Sequence, residues 1–174
     1  MYKIFKLIKI FLDTKEQNSV GDFLIKNKKN IAIAESCTGG LLSSLLTDVS
    51  GSSAYIKANF VTYANEAKIQ YLGVKEETLK EYGAVSTQTA KEMVEGLLEK
   101  TQCDFAIATT GIAGPSGGSV QKPVGLVYIG VGRKDNISVV KYQVNSSYPR
   151  ILVKYMFAKQ AIKLLNNFIK EEDL

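Results

Sequence analysis

Histidine is absent from this 174-residue chain, and cysteine occurs only twice. Without an imidazole there is no Ser-His-Asp triad, no Cys-His pair and no histidine-ligated metal site. Cys37 and Cys103 are too few for a disulfide framework or a zinc ribbon. Two unpatterned thiols fit a reducing compartment, so a cytoplasmic location is expected, with neither metal nor cofactor. No apolar run is long enough to span a bilayer. The most apolar stretch, residues 1–12 (MYKIFKLIKIFL), is interrupted by Lys3, Lys6 and Lys9, and no small-residue cleavage site follows it. The phosphate-binding pattern G-x-x-x-x-G-K-[ST] and the dinucleotide pattern G-x-G-x-x-G are also missing. An excess of one charge sign is slight: the net charge is +5, of which residues 1–13 carry +2 through Lys3, Lys6, Lys9 and Asp13. No nucleic-acid partner is expected from so small an excess.

What is present reads as one globular domain. The chain is 45% hydrophobic and 22% charged, and it is long enough to bury a core without staples. Residues 1–13 form an extension, readable as a docking segment, a membrane-surface helix or an idle tail; residues 14–174 form the domain. Helical patterns cover 17–28, 41–48, a segment from Asn65, 75–82, a long run from Ser86 to about Thr101, and 149–170. In that last helix Val153, Phe157, Ile162, Leu165 and Ile169 share a face. Apolar β-rich runs occupy 30–35, 60–63, 105–110, 124–131 and 137–144, the last two as a hairpin. Alternating strands and helices predict an α/β fold: a single layered domain with a mixed, partly antiparallel sheet flanked by helices.

With histidine excluded, hydrolytic chemistry falls to Ser, Thr, Cys, Tyr, Lys or carboxylates. A buried strand ends at Glu35 and turns through Ser36-Cys37-Thr38-Gly39-Gly40 into a helix. That geometry either caps the helix or presents a nucleophile beside N–H groups suited to negative charge. Ser36, Cys37 and Thr38 are all candidates. The customary substitute for histidine is a lysine held neutral. Asn65 reads as an N-cap, which puts Lys68 in a first helical turn, against the positive end of the helix dipole; that field disfavours its ammonium form. Tyr63 precedes the same turn. Thr110 and Gly111 end a strand and open the glycine-rich loop 111–123, and Lys122 and Arg150 are the nearest cations for an anionic group.

Several of these segments resemble, in order, the CinA C-terminal domain family, the nicotinamide-nucleotide amidases often called PncC. They are Ala34-Glu35-Ser36-Cys37-Thr38-Gly39-Gly40, Gly51-Ser52-Ser53-Ala54, Phe60-Val61-Thr62-Tyr63 with Asn65-Glu66-Ala67-Lys68, Gly83-Ala84-Val85-Ser86, Thr110-Gly111-Ile112-Ala113-Gly114-Pro115 and Lys122-Pro123-Val124-Gly125. The resemblance implies hydrolysis of the carboxamide of nicotinamide mononucleotide to nicotinate mononucleotide and ammonia. It implies Ser36 as nucleophile with Lys68 and Tyr63 as its partners, and a homo-oligomeric α/β domain. Thr38, Gly39, Gly40, Thr110, Gly111 and Arg150 are then expected to bind substrate. One departure concerns Arg150: where the family commonly has Gly-Asp-Arg, this chain reads Tyr148-Pro149-Arg150. A catalytically silent nucleotide-binding module, linked to competence or damage response, is the alternative.

Overall fold

The computed structural model of the chain describes residues 13–171. Residues 1–12, nearly all of the N-terminal extension, lie outside the described residues. Helix α1 (Lys15–Lys26) leads into strand β1 (Ile31–Glu35), helix α2 (Leu41–Thr47), a single 3-10 turn (Ser52–Ala54) and strand β2 (Ile56–Val61). Helices α3 (Asn65–Leu72), α4 (Glu76–Tyr82) and α5 (Thr87–Thr101) follow. Strands β3 (Phe105–Gly111), β4 (Leu126–Arg133) and β5 (Asn136–Gln143) and helix α6 (Arg150–Lys170) complete the chain.

The sheet order is β2-β1-β3-β4-β5. β1 runs parallel to both β2 and β3, whereas β4 is antiparallel to β3 and to β5. The mixed sheet and the terminal hairpin are as the sequence predicts. The second strand is not: it starts at Ile56 rather than Phe60 and ends at Val61. It lies at the sheet edge, where half-buried and exposed residues alternate, so the exposed Lys57 and Asn59 hide its beginning from a search for continuous apolar runs.

The two faces of the sheet differ in volume. β1 (Ile-Ala-Ile-Ala) and β3 (Phe-Ala-Ile-Ala) send Ile31, Ile33, Phe105 and Ile107 to one side, against α1, α2 and α6. There Val153, Phe157, Ile162, Leu165 and Ile169 are all buried, the face read from the sequence of α6. Ala32, Ala34, Ala106 and Ala108 point the other way, against Met93, Val94 and Leu97 of α5 and Leu72 of α3. On β4 this second face continues as Gly130 and Gly132, where an added Cβ would meet α5 at 2.7 Å and 2.9 Å. α5 therefore sits close on a sheet face with almost no side chains, and at Gly96 it meets α3 so closely that a Cβ would fall 1.8 Å from the Leu72 carbonyl oxygen.

Candidate active site

The three parallel strands end side by side, and their carboxyl ends supply the cleft, the usual place for ligands in open α/β sheets. Ser36 follows β1, Thr62 and Tyr63 follow β2, and Thr110 and Gly111 close β3. The Ser36 N–H donates to the Thr109 carbonyl at 3.0 Å, which holds the turn against the central strand.

The turn itself is built by Glu35. This fully buried carboxylate accepts from the N–H groups of Gly40 (3.0 Å), Leu42 (3.0 Å) and Ser43 (2.8 Å) and from the Ser43 hydroxyl (2.6 Å). Gly39 and Gly40 have φ of +61° and +95°, a left-handed path that side chains resist. These contacts correct one expectation. The first-turn donors of α2 are taken by Glu35, so Gly40 has no N–H left for a ligand. Thr38 is fully buried with its hydroxyl 2.8 Å from that of Thr109, and neither Thr38, Gly39 nor Gly40 lines the cleft. They shape the turn. Glu35 is the functional residue that sequence reasoning missed; its only signal is a carboxylate at the end of an otherwise apolar buried strand.

Ser36 and Lys68, 32 residues apart, are brought into contact: Lys68 Nζ lies 3.2 Å from Ser36 Oγ. Nζ also donates to the carbonyls of Thr62 (2.9 Å) and Tyr63 (3.4 Å). Lys68 is only 1% exposed, and no carboxylate forms an ion pair with it among the described residues. Burial lowers its pKa below the ordinary lysine value, against the weaker opposing pull of Cys37 and Glu66. The helix start differs from expectation: Ala64, not Asn65, is the N-cap, which moves Lys68 one position further into α3.

A neutral amine has two hydrogens and one lone pair. In that form, hydrogens directed at the Thr62 and Tyr63 carbonyls would leave the lone pair for the Ser36 hydroxyl proton; in the ammonium form Nζ donates to Ser36 Oγ instead. The Tyr63 phenol does not stand between them. Its ring is 62% exposed and its hydroxyl accepts from Arg150 Nη2 at 3.1 Å, so it belongs to the rim.

The other two nucleophile candidates are set aside by their surroundings. Burial pushes the Cys37 thiol up to about 12, so it stays protonated near neutral pH, and Thr38 is sealed behind Thr109. Iodoacetamide at pH 8 is accordingly expected to leave Cys37 unmodified, as read by mass spectrometry of its peptide; ready alkylation would reopen the choice of nucleophile.

The cleft encloses about 270 Å³. Ala84, Val85, Ile112 and Ala113 give it an apolar wall, and Ser36, Lys68, Asn65 and Thr110 contribute polar groups to its lining. The Thr110 hydroxyl donates to the Ala84 carbonyl at 2.6 Å and pins the apolar wall to β3. Arg150, the first residue of α6, closes the rim by donating from Nη1 to the Gly114 carbonyl at 2.6 Å. It lines the cleft despite the Tyr148-Pro149 departure before it. Lys122 is turned away, with its ammonium on the Tyr82 carbonyl at 2.5 Å. Among the described residues the backbone N–H of Ala113 has no acceptor, and that of Cys37 meets only its own Sγ; both are cleft residues.

A larger hollow, about 390 Å³, lies at the opposite end of the sheet beside Cys103 and Lys134 and holds no nucleophile–base pair. Among the described residues there is no cluster of three metal-ligating side chains and no helix long and apolar enough to cross a membrane.

Residues 13–169 match the family model described as CinA C-terminal domain. The chain is 45% identical over 162 residues to a CinA-like protein of Chlorobium limicola, covering 91% of this chain and 38% of that protein. It is 47% identical over 159 residues to a CinA-like protein of Chloroherpeton thalassium, again covering 38% of the relative. The chain thus spans less than two fifths of the length of these curated relatives. Among solved structures, the competence/damage inducible protein CihA of Agrobacterium tumefaciens superposes with a TM-score of 0.82 at 38% identity, covering 88% of this chain and 94% of that one. The competence damage-inducible protein A of Klebsiella pneumoniae does so with a TM-score of 0.85 at 29% identity, covering 90% and 96%.

Proposed function

This chain belongs to the CinA C-terminal domain family, and on that premise we propose that it is a serine–lysine amidohydrolase that converts nicotinamide mononucleotide to nicotinate mononucleotide and ammonia. The observation that carries the reading is the contact between Ser36 Oγ and the buried Lys68 amine, which no carboxylate partners among the described residues.

Neutral Lys68 takes the Ser36 proton as Oγ bonds to the carboxamide carbon. The resulting ammonium keeps three acceptors, the Thr62 and Tyr63 carbonyls and Ser36 Oγ, so it is not stranded in the interior. The oxyanion sits against the N–H groups of Cys37 and Ala113, each such donor being worth about 3 kcal/mol of barrier. Lys68 returns its proton to the leaving nitrogen and ammonia departs. Lys68 then deprotonates a water, which attacks the acyl carbon; the Oγ–carbon bond breaks, Ser36 Oγ takes the proton back from Lys68, and the acid is released. The pyridine ring lies on the Val85–Ile112 wall, and the phosphate meets the guanidinium N–H groups of Arg150 not used by Gly114 and Tyr63.

The test is ammonia release from nicotinamide mononucleotide, with the acid product followed chromatographically. Equimolar ammonia and nicotinate mononucleotide are expected from the wild type, and none from Ser36→Ala of unchanged circular dichroism. A folded wild type that binds the nucleotide, by a rise in melting temperature, yet releases no ammonia would instead establish the silent binding module.

A further inference from the structure

Asn65 is a polar cleft residue that neither the fold nor the proposed chemistry employs. It stands at the first position of α3 while Ala64 serves as N-cap. Its amide has no hydrogen-bond partner among the described residues, although it can donate twice and accept twice. It lies one turn before Lys68, on the same helix face, and both line the cleft. Lys68 is buried at the floor beside Ser36, whereas Asn65 is exposed toward the mouth. Beyond Asn65, a groove of about 320 Å³ between α3 and α4 carries Glu66, Glu76 and Lys80, the last paired with Glu76 at 3.4 Å.

We infer that Asn65 is a ligand-binding residue that reads the vicinal hydroxyls of the sugar attached to the pyridine ring. This deepens the amidase reading and rests on it. With the carboxamide fixed at Ser36, the substituent on the ring leads outward past the level of Asn65. Arg150 is the exposed cation of the cleft lining, so the phosphate turns toward it and the sugar edge lies over α3. A diol offers paired donors and acceptors, as the asparagine amide does, and a side chain without an internal partner exchanges only water for such a ligand.

The experiment is calorimetric binding to Ser36→Ala protein, which holds substrate without consuming it. Nicotinamide mononucleotide is compared with its 2′-deoxy and 3′-deoxy analogues, with and without Asn65→Ala. Asn65 has no structural partner to lose, so the melting temperature is expected to stay unchanged. In the Ser36→Ala background at least one deoxy analogue is expected to bind about tenfold more weakly than the parent, the usual effect of one lost hydrogen bond. Adding Asn65→Ala should weaken the parent and shrink that preference to about twofold or less. A tenfold preference that survives Asn65→Ala overturns the assignment while leaving the amidase reading intact. Absence of any preference in the Ser36→Ala background does the same. Failure of the parent nucleotide to bind overturns both.

Discussion

Lys68→Met is expected to lower turnover by about 10³-fold, the loss typical of removing a general base, while the protein folds normally. The same substitution also tests whether burial makes the lysine give up its proton more easily. In the unfolded chain Lys68 holds its proton up to the ordinary value of 10.5; in the folded protein burial makes it release that proton at a lower pH. Between those two values the unfolded state carries the extra proton, so the wild type gains stability as pH rises through the window. Below the window both states are protonated and the cost of burying the charge is fully present. Above it the cost is gone. Lys68→Met has no such proton. Its stability relative to wild type should therefore fall steadily as pH is raised toward 10.5 and be flat at lower pH. The activity of the wild type should rise along a limb whose midpoint is the lower edge of that window, because both readouts follow one proton. Urea unfolding and kcat/KM across pH measure the two. Parallel wild-type and Lys68→Met stability curves, or an activity limb at 10.5, would remove Lys68 from the role of base.

The second large effect concerns Glu35. Glu35→Ala strands the N–H groups of Gly40, Leu42 and Ser43 at the start of α2 and opens a cavity under the turn. A buried donor left unsatisfied costs about 1–3 kcal/mol, so a loss of about 4 kcal/mol or more is expected in the unfolding free energy. Since a domain of this size typically has only about 5–15 kcal/mol in hand, Glu35→Gln supplies the graded comparison. It keeps one acceptor oxygen but faces an amide N–H toward a donor, and it should fall between wild type and Glu35→Ala. If Glu35→Ala lies within about 1 kcal/mol of wild type in urea, the carboxylate is not what organises the turn.

Much of this arrangement was legible in the sequence because it is local. The strand–turn–helix at Ser36 announces itself through small residues and paired glycines, and α6 through its apolar spacing. Lys68 drew attention because a first-turn lysine opposes the helix dipole, even though its cap was misplaced by one residue. What stayed hidden depends on distant pairing. Ser36 and Lys68 meet only because β2 aligns in parallel with β1, Val61 opposite Glu35, so the segments that follow each strand emerge together. Glu35 could be read as ordinary strand-end polarity, since its partners lie five to eight residues ahead and, apart from the Ser43 hydroxyl, are backbone groups. The direction of the Tyr63 phenol, toward Arg150 rather than Lys68, depends on an arginine 87 residues away. The glycines taken for ligand contacts, Gly39 and Gly40, were conspicuous for a reason of backbone path alone.

The bare face of the sheet has a consequence for the cleft. Ala84 and Val85, which form part of its apolar wall, immediately precede α5, and α5 rests on Ala32, Ala34, Ala106, Ala108, Gly130 and Gly132. The gap between that wall and Ser36 is therefore gauged by methyl groups at the other end of the helix's seat. A single added carbon beneath α5 would displace the wall as a shim displaces a jaw, so substrate fit is governed in part by residues no substrate touches.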